Sequence, residues 1–237
     1  MMTQKIFISV FLCFLFLTIV PQITAKERSW YLGGGLGVTE IESDVVLWPD
    51  LSTAYLDKDE RQLGYKVFGG YRLNDFIGIE ILYVDFGKLE VMGNSGAGFA
   101  SDGVVWIFNQ NNSKVTLEPQ TFGIGINFSL PLRKVTETAV IKKLTPFFKI
   151  GAHYWVADKS LTPPNSANFY TLQYPSIVNS VNHSIEDESG LNFFYGAGIS
   201  FDVNSRIEIS LSYEWFNFDD NMAQDADFIS SSILIKF

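Results

Sequence analysis

The sequence predicts an all-β fold, an eight-stranded antiparallel up-and-down transmembrane β-barrel. Three observations carry this. Apolar and small or polar residues alternate with period two in segment after segment. Short turns and long polar connections alternate along the chain. The non-apolar face of the segments is built of Gly and Ser rather than of Lys and Glu.

The 237 residues are 47% apolar, 15% aromatic and 18% charged, which excludes a disordered chain. Asp and Glu number 26 against 17 Lys and Arg, for a net charge of -9, and no basic face capable of holding phosphates stands out. A nucleic-acid partner is therefore not expected. A single cysteine, Cys13, rules out an internal disulfide and zinc-type ligand pairs, and only two histidines are present.

Residues 1–25 read as a secretory signal peptide. Lys5 precedes an apolar run from Ile6 to Val20, then Pro21 and a small residue, Ala25, precede Lys26. The run is shorter than the ~20 residues of a spanning helix. Cleavage after Ala25 leaves residues 26–237 as one domain that retains most of the aromatic residues.

The strands follow in order. Trp30, Leu32, Leu36 and Val38 mark the first, and Leu63, Tyr65, Val67 and Tyr71 the second. In the third, Ile77, Ile79, Ile81 and Tyr83 oppose Gly78, Glu80, Leu82 and Val84. In the fourth, Phe122, Ile124, Ile126, Phe128 and Leu130 oppose Thr121, Gly123, Gly125, Asn127 and Ser129. Pro146 to Val156 forms the fifth and Phe193 to Phe201 the sixth. In the seventh, Ile207, Ile209, Leu211, Tyr213 and Trp215 oppose Arg206, Glu208, Ser210, Ser212 and Glu214; Ile229, Ile233, Ile235 and Phe237 share a face of the last. Roughly ten residues per strand is the length that crosses a bilayer when tilted.

Residues 73–76 and 202–205 carry the Asn and Asp of tight turns. Long polar connections are expected near 40–62, 87–116 and 157–190, a shorter one near 217–227, and a mid-sized one at 131–143. A soluble lipocalin-type barrel also alternates, but its wet exterior calls for Lys and Glu. Here the face opposite the apolar one carries Gly33, Gly35, Gly37, Gly123, Gly125, Gly196, Gly198, Ser210 and Ser212, which suits a crowded lumen, with the aromatic face turned to lipid.

With these segments in place, the chain resembles the small outer-membrane barrels of the OmpA-like and OmpX-like type. The resemblance rests on Trp30-Tyr-Leu-Gly-Gly-Gly-Leu-Gly, Gly64-Tyr-Lys-Val-Phe-Gly-Gly-Tyr-Arg-Leu and Ile77-Gly-Ile-Glu-Ile-Leu-Tyr-Val-Asp-Phe-Gly. It continues in Leu144-Thr-Pro-Phe-Phe-Lys-Ile-Gly-Ala-His-Tyr-Trp and Phe194-Tyr-Gly-Ala-Gly-Ile-Ser-Phe-Asp. The end of the chain, with Ile233, Ile235 and Phe237 on one face, resembles the signal by which such barrels engage the barrel-assembly machinery. The resemblance implies export to the cell outer membrane and contact with outer-membrane lipid and lipopolysaccharide. It also implies a lumen plugged by side chains and crossed by ion pairs. Glu80 lies where that family places a lumenal carboxylate, with Lys149, Arg206 and Glu208 as partners and Lys66, Arg72, His153 and Glu214 further along. Peptidoglycan anchoring is not carried over.

The expected role is a structural envelope protein, with a small channel gated by lumenal charges or a loop-mediated adhesin binding host or extracellular ligands as alternatives. Residues 91–113, with Trp106, Ile107 and Phe108 taken as exposed, and 162–189 would serve the adhesin. His183-Ser184, with Glu186 and Glu188 nearby, is adjacent on a loop, which does not by itself set nucleophile–base geometry, and His153 on the lumen face reads as a hydrogen-bonded lumen residue. No catalytic site, cofactor or metal is expected; Asp57, Asp59, Glu60, Asp219, Asp220, Asp225 and Asp227 read as solvated acidic loops.

Overall fold

In the computed structural model, residues 30–42, 46–47, 56–59, 61–101, 104–136, 138, 140–164, 167–173, 176–180, 188–218 and 225–237 are described. The proposed signal peptide lies outside them. Eight strands, β1 (Trp30–Glu42), β2 (Arg61–Arg72), β3 (Ile77–Asp85), β4 (Ser113–Ser129), β5 (Leu144–Thr162), β6 (Glu188–Asp202), β7 (Ile207–Asn217) and β8 (Asp225–Lys236), pair antiparallel in sequence order. Pairing of β1 with β8, from Tyr31 opposite Lys236 to Glu42 opposite Asp225, closes the ring. Closure leaves none of the eight strands with an open edge, the condition for placing a sheet in hydrocarbon.

The outward side chains are the apolar set of each strand. Leu63 is 71% exposed, Leu36 64% and Ile233 58%, values that only a lipid covering reconciles with stability. Aromatic side chains bracket this band. Trp30 and Tyr71 lie with centroids 4.8 Å apart near the short-turn end. Tyr195 stacks on Trp215 at 4.9 Å, and Tyr83 meets Phe122 at 5.1 Å, toward the other end. Farther along the strands, cross-strand ion pairs replace the aromatics: Arg61 with Glu40 at 3.1 Å, Lys88 with Glu118 at 2.7 Å and Lys114 with Glu90 at 2.8 Å. This change of chemistry marks where the barrel wall leaves hydrocarbon for water.

Two turns share one device. Asn74 Oδ1 accepts from the Phe76 and Ile77 N–H groups at 2.8 and 2.9 Å, and Asn204 Oδ1 accepts from those of Arg206 and Ile207 at 2.7 and 2.9 Å. The third short-turn connection, 130–143, contains two single 3-10 turns, Leu132–Lys134 and Ile141–Lys143.

The opposite end differs from the expectation of long loops. Strands β4, β5 and β6 run 17, 19 and 15 residues, well past the ~10 that cross a bilayer. Leu89–Gly93 pairs with the upper part of β4, and Leu56–Asp59 pairs with it in turn. A separate five-stranded sheet joins 46–47, 98–101, 104–108, 167–173 and 176–180. Phe108, expected on the surface, is 1% exposed, while Ile107 is partly buried; the Trp106 side chain lies outside the described ones. The reason is local: Leu89, Val91, Val115 and Leu117 alternate with Glu90, Lys114, Thr116 and Glu118, turn inward, and join Phe108 and the barrel aromatics in one buried apolar cluster.

Candidate functional site

The inward face of the barrel is layered from the short-turn end upward. In the lowest layer, Glu208 on β7 receives Arg72 from β2 at 2.8 Å and Lys236 from β8 at 2.7 Å, and Lys236 also contacts Asp202 of β6. Two cations and two carboxylates leave the layer formally neutral.

Tyr31 on β1 links this layer to the next. Its ring lies 5.6 Å from the Arg72 guanidinium, and its hydroxyl donates to Glu80 Oε2 at 2.9 Å. Glu80 on β3 receives Lys149 Nζ of β5 at 2.5 Å. Lys149 Nζ also stands 3.4 Å from Glu214 Oε1 of β7, and Glu214 Oε2 receives Lys66 Nζ of β2 at 2.5 Å. Lys66 also donates to Ser212 Oγ at 2.9 Å, and that hydroxyl lies 3.1 Å from Ser230 Oγ. Both ammonium groups sit beside aromatic faces, Lys149 5.0 Å and Lys66 5.5 Å from the Phe68 centroid. All four charged side chains are at most 6% exposed, so the pairing answers a desolvation cost of several kcal/mol per ion.

Glycines make room for this layer. Gly70 and Gly125 flank Glu80 in the register, Gly196 lies between Lys149 and Glu214, and Gly35 is opposite Lys66. A Cβ on Gly196 would stand 2.6 Å from Glu214 Cγ, so the carboxylate occupies the volume of the missing side chain.

Above the charges lies an aromatic plug. Phe86 meets Phe216, Phe218 and Phe228 edge-on at 5.0, 5.1 and 6.0 Å, and Phe194 stacks on Phe216 at 5.3 Å. His153 enters the cluster 5.4 Å from Phe216, and Trp155 meets Phe218 at 5.8 Å. His153 Nδ1 lies 2.7 Å from Thr121 Oγ1, and Thr121 donates its one hydroxyl proton to the Tyr154 carbonyl at 3.0 Å. With that proton committed to the carbonyl, Nδ1 is the donor in its contact with Thr121. Among the described residues Nε2 has no hydrogen-bond partner.

The structure thus brings Glu80, Lys149, Lys66 and Glu214 into one network and Arg72 and Glu208 into a second, with His153 above both. Arg206, expected in the lumen, lies outside it. It has the parity of Glu208, but the strand begins only at Ile207, and the Asn204 turn leaves Arg206 exposed. Lys236, opposite in face to Ile235 and Phe237, takes the place given to Arg206. Ile233, Ile235 and Phe237 all point outward, and the Phe237 N–H donates to the Trp30 carbonyl at 2.9 Å. Sequence reading missed Tyr31, Asp202, Lys236 and the plug, although the same parity marks them: Phe216 and Phe218 follow Glu214 by two and four, and Phe86 follows Val84 by two. His183-Ser184 and Glu186 lie outside the described residues, as do Glu60, Asp219 and Asp220. Among the described residues no group of three His, Cys, Asp or Glu suits a metal ion.

Residues 25–235 match the model of the family described as the OmpA-like transmembrane domain. Outer membrane protein A of Shigella flexneri is 23% identical over 199 residues, covering 84% of this chain and 44% of that protein. Outer membrane protein A of Klebsiella pneumoniae is 23% identical over 193 residues, 81% of this chain and 44% of that protein. The chain therefore spans less than half the length of these curated relatives. Among solved structures, Ail, the attachment invasion locus protein of Yersinia pestis, in complex with the heparin analogue sucrose octasulfate, is 14% identical with a TM-score of 0.46 over 90% of this chain and 100% of that one. Neisserial surface protein A is 11% identical with a TM-score of 0.47 over 88% and 97%.

Proposed function

The chain belongs to the OmpA-like transmembrane domain family of outer-membrane β-barrels, and from that premise we propose that it serves as a closed, non-enzymatic structural barrel of the envelope. The observation that carries this reading is the succession of fillings in the lumen. Two neutral ion-pair layers are followed by Phe86, Phe194, Phe216, Phe218 and Phe228, each at most 1% exposed. A permeating ion would have to break buried pairs and then cross a dry aromatic layer, where an unpaired charge costs several kcal/mol or more. The role left to such a barrel is mechanical, and it carries the β-rich extension on the side where the family exposes its loops.

A channel is the second reading, supported by one feature: Lys149 touches both Glu80 and Glu214, so an exchange of partners has a short path. An ion-flux assay on proteoliposomes of the folded chain separates the two. The structural reading expects flux at the level of protein-free vesicles, with Glu80→Ala no leakier. Flux well above that background, altered by Glu80→Ala, would establish the channel instead. The adhesin reading draws on the extension itself. Loss of whole-cell binding on replacing residues 91–113 by a short turn would support it, and unchanged binding would count against it.

A further inference from the structure

The connection 130–143 is unlike the two Asn-capped turns beside it. Leu130, Val135, Val140 and Ile141 are 50%, 70%, 66% and 41% exposed, and Arg133, Lys142 and Lys143 are exposed among them. Arg206, displaced from the lumen, is exposed on the neighbouring 203–206 turn of the same rim. We propose that this rim is a docking surface for anionic phospholipid headgroups of the membrane leaflet at the short-turn end. The proposal goes beyond the structural reading but rests on the membrane barrel that it presupposes.

Position supports it first. The Leu130 N–H donates to the Pro146 carbonyl at 2.8 Å, next to the outward rings of Phe128 and Phe148, so the segment continues directly from the lipid-facing wall. Shape comes next. The Val135 N–H donates to the Leu132 carbonyl at 2.9 Å and the Lys142 N–H to the Thr138 carbonyl at 3.0 Å, so both ends of the segment are held before any lipid arrives. Lys143 Nζ lies 5.5 Å from the Phe201 centroid, its stem along the barrel wall and its charge at the rim, as an interfacial lysine requires.

Charge then selects the ligand. The short-turn connections 73–76, 130–143 and 203–206 contain five Lys or Arg against two Asp or Glu. The connections 43–60, 86–112, 163–187 and 218–224 at the other end contain two Lys against eleven Asp or Glu. An anionic headgroup is thus attracted at one end and repelled at the other. A soluble polyanion would satisfy the cations but would leave Val135, Val140 and Ile141 in water. A phospholipid places acyl chains against those residues and its phosphate near the cations.

Native mass spectrometry of the folded chain in detergent, titrated with phosphatidylglycerol or with phosphatidylcholine of the same chain length, tests this. The expected result is a preference for phosphatidylglycerol of at least about fivefold, the equivalent of one cation at an anionic surface. Lys142→Gln/Lys143→Gln/Arg206→Gln should abolish the preference, and Lys142→Glu/Lys143→Glu, which leaves the backbone bonds of the turn in place, should reverse it. Each variant is first checked for heat-modifiable gel mobility. Wild-type protein without that shift would overturn the barrel and the proposal together. A shifted protein with equal affinities, a preference unchanged in the triple variant, or glycerol 3-phosphate binding as tightly as the lipid would overturn the proposal alone.

Discussion

Lys66 and Glu214 meet at 2.5 Å across the lumen, each at most 2% exposed, from strands β2 and β7 that are not neighbours in the barrel wall. This pair therefore ties together parts of the ring that no backbone hydrogen bond joins. Removing Lys66 leaves two carboxylates, Glu80 and Glu214, to share Lys149, so one negative charge goes uncompensated in a closed interior. Lys66→Met should destabilise the folded barrel by about 3–5 kcal/mol, and Lys66→Met/Glu214→Leu by clearly less, because the double variant leaves no single orphaned ion at this pair. Denaturant unfolding in lipid vesicles measures both. A double variant as damaged as the single one would show that the pair holds the ring by more than charge compensation.

The glycine beside that carboxylate makes a steric prediction. Gly196→Leu has no room for its side chain, since its Cβ alone would stand 2.6 Å from Glu214 Cγ. Gly34→Ala is the control, because its Cβ would meet only the Lys66 carbonyl oxygen, at 3.6 Å. Heat-modifiable gel mobility after refolding should be lost or much reduced in Gly196→Leu and retained in Gly34→Ala.

Phe216 packs against Phe86, Phe194 and His153 and is fully buried. Phe216→Ala should cost about 3–5 kcal/mol through lost burial and the cavity left behind. The same unfolding experiment reads it, and a loss below about 1 kcal/mol would mean that the plug is loosely packed.

Exposed pairs on the extension should behave differently. Arg61 and Glu40 have side chains 72% and 49% exposed, so solvent screens their attraction. Arg61→Ala is expected to change stability by no more than about 1 kcal/mol. A larger loss would place that strand end in a much drier setting than the structure gives it.

The membrane wall was the legible part of this fold. Ile79, Ile124, Leu211 and Ile233 declare the lipid face because the hydrocarbon imposes an unbroken period of two. The charged lumen was partly legible for the same reason, since Glu80, Lys149, Lys66 and Glu214 share the opposite parity. Partner choice was not, because it depends on strand stagger and on where a turn ends the alternation. Arg206 lies outside the lumen and Lys236 takes its place on that point alone. The extension was hidden for another reason. Strands in water lose the aromatic stripe, and Lys88, Glu90 and Lys114 read as loop charges until the structure pairs Lys88 with Glu118 and Lys114 with Glu90.

If the paired charges and the aromatic plug close the lumen, no ion should cross it. Planar-bilayer recording on the folded chain is the decisive measurement. A closed lumen gives a flat baseline, with no unitary openings in the wild-type protein. Stable openings from heat-modifiable, fully folded protein, with a conductance that changes in Glu80→Ala, would contradict it and make the Lys149 exchange between Glu80 and Glu214 the working part of the molecule.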